Sequence, residues 1–256
     1  MKRFSILALA LCATSLLIAC GDDDDGGSKP EVLTGSGDIT AVVEQYRKRL
    51  GADNGGDPGT KGASGFREIN WDTVPDEVAA PNLYVSDFFN AAQAPRARGI
   101  VLKTPGTGLM ISADSDNPSK ALPRFGNINP KYAENFKTFS AERLFSPVGS
   151  NVVDITFFVP GSTTPAAVRG FGAVYTDIDT DHTAFEYFDA KGKSLGKYAA
   201  PVANNGLSFL GVAFKDAVVA RVRVSYGTSA LGPDDGPAAD VAVMDNFIYG
   251  EPQAVK

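Results

Sequence analysis

The sequence predicts an all-β fold: a jelly-roll-like β-sandwich of about nine or ten strands with one short N-terminal amphipathic helix. Three observations carry this. Apolar residues alternate with a period of two after Phe66, as in Val153, Ile155, Phe157 and Val159. Turn-forming clusters such as Asp189-Ala190-Lys191-Gly192 separate short apolar runs. Only one stretch carries a helical stripe, and no repeat of about 20–50 residues marks a propeller or solenoid.

Composition narrows the function classes. The chain has 256 residues, with 24 Lys+Arg against 30 Asp+Glu, one His and two Cys. A net charge of −6 offers no basic face for nucleic acid, so no nucleic-acid partner is expected. So few Cys and His exclude a disulfide framework and a Cys/His zinc site.

Residues 1–19 read as a lipoprotein signal peptide. Lys2 and Arg3 precede a nearly unbroken apolar run from Phe4 to Ile18. A bilayer-spanning helix needs about 20 apolar residues, and this run is shorter. It ends in Leu17-Ile18-Ala19-Cys20, which resembles the lipobox of bacterial lipoproteins. The resemblance implies a lipid thioether on Cys20, cleavage before it and acylation of the new amino group. A plain secretory signal is the alternative. Cleavage removes Lys2, Arg3 and Cys12, leaving 22 basic against 30 acidic side chains, a net −8, and no free thiol. Gly21 stands where an inner-membrane retention signal has Asp. The expected location is therefore the cell envelope, at the outer membrane, either periplasmic or surface-exposed.

Residues 20–37, with four consecutive Asp at 22 to 25, are expected to be an acidic flexible tether. Residues 38–252 are expected to form a single domain and 253–256 a tail. Asp38 to Leu50 reads as the helix: Ile39, Val42, Val43, Tyr46 and Leu50 share a face, Lys48 and Arg49 suit the last turn, and Gly51 stops it. Ala52 to Gly65 is loop. Ile100 to Lys103 and Leu109 to Ala113 flank Pro105-Gly106-Thr107-Gly108 and read as a hairpin. Phe171 to Thr176, Ala184 to Phe188 and Ser194 to Tyr198 form a connected set, the last two joined by a four-residue turn. Val218 to Tyr226 alternates as a half-buried strand. Leu207 to Phe214 and Val241 to Tyr249 are apolar on both faces and are placed centrally. In the latter, Val243, Phe247 and Tyr249 are expected on one face, with Met244, Asn246 and Ile248 on the other.

Candidate chemistry is sparse. His182 is the only imidazole and no Gly-x-Ser-x-Gly elbow exists, which argues against a Ser-His-Asp triad. A glycosidase needs two carboxylates about 5–9.5 Å apart, and Glu68, Asp72, Glu142 and Glu186 are available for such a pair. Trp71, flanked by Glu68 and Asp72, is a candidate ligand-binding site in which an indole stacks on a sugar. The same residues read equally as a core Trp on a solvated strand. Asp177-Ile178-Asp179-Thr180-Asp181 sets three carboxylates at the alternating spacing of calcium loops, without the Gly and Glu that complete an EF-hand. Asp177, Asp179 and Asp181 are therefore the expected Ca²⁺ ligands, against the alternative that Asp simply favours turns. Asp114-Ser115-Asp116-Asn117 and Asp234-Asp235-Gly236 are further acidic loops.

Four stretches carry a wider resemblance. They are Phe66-Arg67-Glu68-Ile69-Asn70-Trp71-Asp72, Phe125-Gly126-Asn127-Ile128-Asn129-Pro130, Phe171-Gly172-Ala173-Val174-Tyr175-Thr176-Asp177, and Val243-Met244-Asp245-Asn246-Phe247-Ile248-Tyr249-Gly250-Glu251-Pro252. Together they resemble an uncharacterised family of secreted bacterial β-sandwich proteins, some of whose members end in PEP-CTERM sorting tails. This chain has a lipobox in place of such a tail. The resemblance implies an extracytoplasmic location and a sandwich fold, and it transfers no catalytic residue. The expected function is a lipid-anchored, non-enzymatic envelope protein that binds an extracellular ligand, with polysaccharide the candidate, or that is structural. A carbohydrate-active hydrolase using a carboxylate pair is the alternative. The expected partners are the membrane, through Cys20, and an envelope component.

Overall fold

The structure, a computed structural model, describes residues 29–235 and 238–255. The expected signal peptide, Cys20 and the Asp run lie outside the described residues. Two seven-stranded sheets pack face to face, and every strand pairing is antiparallel. Across the first sheet run β1 (Glu31–Ser36), β11 (Ala203–Ala213), β8 (Gly170–Ile178), β13 (Val243–Gly250), β5 (Phe145–Val148) and β4 (Gly108–Ile111). In addition, β2 (Phe66–Ile69) pairs with the end of β13. Across the second run β10 (Ser194–Ala199), β9 (Ala184–Phe188), β12 (Arg221–Ser225), β6 (Val152–Phe158), β7 (Pro165–Ala167) and β14 (Gln253–Ala254), with β3 (Ile100–Lys103) also on β6.

This is the expected β-sandwich, with more strands than the sequence showed. The additional ones, such as β7 and β14, are too short for a period to be read. Two boundaries move. Residues 31–36, expected in the tether, pair along their whole length with β11, and Leu33 is buried. Gln253 and Ala254, expected in a tail, pair with β7. The hairpin expected across residues 100–113 is absent: β3 joins the second sheet and β4 the first, and the linking segment crosses between them.

The second sheet follows the alternation closely. Val153, Ile155 and Phe157 of β6 point into the core with Val222 and Val224 of β12. On the outer face one row reads Lys197, Glu186, Arg223, Asp154 and Lys103 across five strands. Opposite charges therefore sit directly across each strand gap. Arg223 grips Asp154 through Nε and Nη2 at 2.9 and 2.7 Å. Arg221 adds a bond to the same carboxylate and lies 3.7 Å from the Phe188 ring centre.

The first sheet is covered on both faces, which is why β8 and β13 are buried along their whole length. Helix α1 (Thr40–Leu50) lays Val43, Tyr46 and Leu50 on Val174, Phe209 and Ile248. The strands admit it because Gly172 and Gly211 lie under Tyr46: a Cβ there would come within 2.8 and 2.7 Å of the ring. Farther along, Phe125, Phe136 and Leu144, with Tyr132 of the short helix α2 (Tyr132–Asn135), cover Val241 and Val243.

In β13 the register shifts between Met244 and Phe247. Met244, Phe247 and Tyr249 all enter the core between the sheets, whereas Val243 and Ile248 face outward. The expected faces of Val243 and Met244 are thus exchanged, because an irregularity at Asp245-Asn246 resets the alternation.

One buried ion pair ties the chain's distant parts together. Arg67 of β2 meets Glu251 through Nε and Nη2 at 2.8 and 2.9 Å, with both side chains fully buried. The other guanidinium donors go to the carbonyls of Gly55, Asp57, Gly59 and Ala97. Glu251 also accepts from Asn54 Nδ2 and the Lys61 amide, each at 2.9 Å. Removing one partner strands the other charge away from water, a loss of about 3–5 kcal/mol. Arg67→Met should therefore lower urea-unfolding stability by about that amount. A change under about 1 kcal/mol, the scale of a surface pair, would contradict this account.

Candidate functional site

The residues singled out from sequence occupy structural positions. Trp71 is fully buried, so the sugar-stacking reading is corrected. The backbone turns there through a φ of 67°, and the indole stacks on Phe145 at 4.8 Å and donates to the Asp245 carbonyl at 2.7 Å. Glu68, expected beside an exposed indole, faces the opposite side of the sheet under α1. There it accepts Arg47 Nε at 2.9 Å and Asn246 Nδ2 at 2.5 Å. Asp72 Oδ1 accepts the amides of Glu142 and Arg143, each at 3.0 Å. Asp245 works alongside it, accepting the Phe139 and Ser140 amides at 2.6 and 3.2 Å and Ser140 Oγ at 2.8 Å. These two carboxylates seat the 139–143 segment on the sheet. Burial pushes the Asp245 carboxyl up to about 7 despite those donors.

The carboxylates available for hydrolysis do not form a cluster of their own. Glu142 accepts the Ser115 amide and hydroxyl at 2.8 and 2.9 Å. Glu186 lies on the outer face of the other sheet with Ser194. Asp76 and Asp114 do converge, on one Arg143 nitrogen at 2.6 and 2.5 Å. His182 is exposed, with Nδ1 at 3.1 Å from Thr180 Oγ1.

The acidic turn after β8 is arranged differently from a calcium loop. Asp177, with a φ of 63°, is buried and accepts the Asn205 amide at 2.6 Å. Asp181 turns to solvent, its side chain 88 % exposed. Asp240 arrives from the segment before β13, accepts the Thr180 amide at 2.9 Å and bonds its hydroxyl. Burial, followed by repulsion from Asp235, Asp179 and Asp240, raises Asp177 to about 6. Burial raises Asp179 and Asp235 as well. The structure thus groups Asp177 and Asp179 with Asp235 and Asp240, and leaves Asp181 outside. Among the described residues, no group of three or more His, Cys, Asp or Glu is placed to hold a metal ion.

Beside this acidic group lies a polar cleft of about 390 Å³, lined by Asn129, Lys131, Asn135, Pro233, Asp234 and Asp235. Its walls are braced by Asn129 Nδ2 on the Pro233 carbonyl at 3.0 Å and by the Tyr132 hydroxyl on Gly232 at 2.7 Å. Asp235 is held by the Val241 amide at 3.3 Å. The Lys131 ammonium and the Asp234 carboxylate complete the lining, so the cleft offers both a donor and acceptors. Sequence reasoning passed over Asn129, Lys131 and Asn135. The only signal was that Asn129-Pro130 closes one of the stretches carrying the family resemblance.

No protein-family model matches the chain, and no curated protein matches it. Among solved structures it is similar to the enzymatically active domain of tailspike protein 4 from bacteriophage CBA120, at 16 % identity and a TM-score of 0.30. The match covers 65 % of this chain and 20 % of that one. A likeness of this degree assigns neither fold nor function.

Two measurements probe the acidic end. Asp177 and Asp245 bind a proton more tightly folded than unfolded, so their contribution to stability is complete below about pH 4 and is lost as pH rises through 6 to 7. Asp154 and Glu142, both held low, act only below that window. The melting temperature should therefore be higher near about pH 5 than near about pH 8, and Asp245→Asn should shrink the difference. A flat profile, or a higher melting temperature at the alkaline side, would contradict the burial argument. The second measurement is thermal unfolding with millimolar Ca²⁺ and then with chelator. A saturable rise that Asp179→Ala abolishes is the result a calcium site requires, and an unchanged melting temperature removes calcium from the account.

Proposed function

We propose that this chain is a lipid-anchored β-sandwich of the bacterial cell envelope that binds a polyhydroxylated extracellular ligand, a polysaccharide, without cleaving it. One observation carries the reading: the polar cleft between Asn129 and Asp235. Sugar hydroxyls both donate and accept, and a wall of carboxylates and amides facing an ammonium meets both needs. The anchor in this reading is the lipid on Cys20, and β1 begins at Glu31, about ten residues after it. Binding rather than cleavage is favoured because each carboxylate suited to hydrolysis is already committed to a guanidinium, an amide or a hydroxyl.

The hydrolase alternative keeps one observation in its favour. Asp76 and Asp114 lie close together beside a small hollow of about 180 Å³, with burial raising the Asp114 carboxyl. Arg143 between them binds one oxygen of each and leaves the second Asp114 oxygen buried without a partner among the described residues, which makes Asp114 the acid of such a pair.

The test is a binding screen of the full chain, solubilised in detergent, against glycans and envelope polymers, with released sugar measured in parallel. The cleft reading expects a retained polymer, no released sugar, and binding at least about tenfold weaker in Lys131→Ala and Asp234→Ala at unchanged melting temperature. Binding untouched by both substitutions removes the cleft. Sugar release lost in Asp114→Asn installs the hydrolase.

A further inference from the structure

We propose that the end of the sandwich opposite the cleft docks on anionic phospholipid headgroups, so that the anchored domain stands upright with its cleft facing away from the membrane. This rests on the lipid anchor at Cys20, and it begins from strand register. In β1, Glu31 lies opposite Ala213 at the end of β11, and Ala213 lies opposite Gly170 at the start of β8. The chain therefore enters the fold where β8 begins. Ala203 lies opposite Ile178, so the acidic turn and the cleft sit where β8 finishes. Nine residues of strand separate the two ends, about 30 Å. In the second sheet β9 starts at Ala184, beside the acidic turn, and ends at Phe188. The 189–192 turn is thereby carried to the entry end.

The two ends carry opposite chemistry. At the cleft end stand Asp177, Asp179, Asp181, Asp234, Asp235 and Asp240. The entry end presents Lys29, Lys191, Lys193 and Lys215, all exposed, and no ion pair among the described residues takes them up. The acids there are largely engaged. Glu31 pairs with Arg49, Asp57 pairs with Lys61, and Asp189 accepts the amides of Lys191 and Lys193 within its own turn. Asp53 and Asp216 add exposed negative charge there and Asp189 keeps its own, so the four lysines outnumber these three acids.

An apolar surface lies at the same end, edged by Lys191 and Asp189. A hollow of about 500 Å³ opens at this end, and exposed Val218 and Val255 line it with Ala190, Ala217 and Ala254. Cations beside a shallow apolar patch match a headgroup layer, where each lysine strengthens attachment to an anionic surface about fivefold. Residues 21–30 link Cys20 to this end and span at most about 35 Å, so the membrane lies within reach of it. The acidic end is repelled by the same surface. Attraction at one end and repulsion at the other fix the orientation.

Single cysteines at Ala190→Cys and Asp181→Cys test this, because the processed chain has no other free thiol. Each is labelled with a fluorophore in the full lipidated protein, on vesicles carrying a headgroup quencher. The vesicles are phosphatidylcholine with and without phosphatidylglycerol. With phosphatidylglycerol, the label at 190 should be quenched several-fold more than that at 181. High salt, or the triple variant Lys191→Glu/Lys193→Glu/Lys215→Glu, should abolish the difference while the protein stays on the vesicles. Equal quenching at both positions overturns the proposal, as does a difference that survives the triple variant or is as large on pure phosphatidylcholine. The anchor is read separately: Cys20→Ala should fail to float with the vesicles. If it floats as the parent does, the anchor itself falls.

Discussion

The Arg67–Glu251 pair is the constraint on which the rest of the fold depends. Its two residues are 184 apart in sequence, and six hydrogen bonds from one guanidinium gather the loop before β2, the Ala97 carbonyl and the end of β13. A charge buried this deeply is tolerated only when every donor is met, and here each is met by a fixed backbone or carboxylate oxygen. The long glycine-rich loop from Ala52 to Gly65 has almost no apolar side chains to bury. It is ordered because its carbonyls are needed by Arg67. With β2 held against β13, Trp71 is delivered to the core, and Asp72 and Asp245 together receive the 139–143 segment.

The fold was legible where one physical rule acted alone. Among the described residues nothing packs on the outer face of the second sheet, so alternation in β6 and β12 translated directly into burial. The α1 stripe did the same, with Tyr46 and Leu50 buried as the spacing required. Legibility failed where a second demand intervened. In β13 the irregularity at Asp245-Asn246 lets one carboxylate leave the ladder to bind a loop, and no hydrophobic pattern reports that. Between β3 and β4 a Pro-Gly-Thr-Gly segment looks like a hairpin turn, but whether it pairs its flanks or crosses between sheets depends on partners much later in the chain. Val148 and Phe157 are such partners.

The candidate site was less legible than the fold. Glu68, Trp71 and Asp72 drew attention because acids flanking an aromatic are also what a sugar site contains. Alternation in β2 put Glu68 on the helix side, the turn at Trp71 put the indole inside, and each found a fixed partner. The cleft is built from Asn129 and Asn135 on one segment and Asp235 on another about a hundred residues later, each individually unremarkable for a loop. What joins them is Asn129 on the Pro233 carbonyl and Tyr132 on Gly232, contacts that exist only after the cover over β13 has formed. The acidic turn lies between these cases. The spacing of Asp177, Asp179 and Asp181 was visible, but Asp240 and Asp235 come from another segment and decide which of the three are drawn inward.

The charged row across the outer face of the second sheet has a consequence for crowding. Its signs run plus, minus, plus, minus, plus from Lys197 to Lys103, a pattern that reads identically from either side. Two copies brought face to face about a twofold axis in exact register set like charge on like along the whole row. Only a stagger by one strand or by three brings opposite charges together, and each leaves at least one lysine unmatched at each margin. A flat open sheet is ordinarily prone to stacking on its neighbours. Here such contacts are confined to poorly matched offsets, so two copies can touch along this face without adhering.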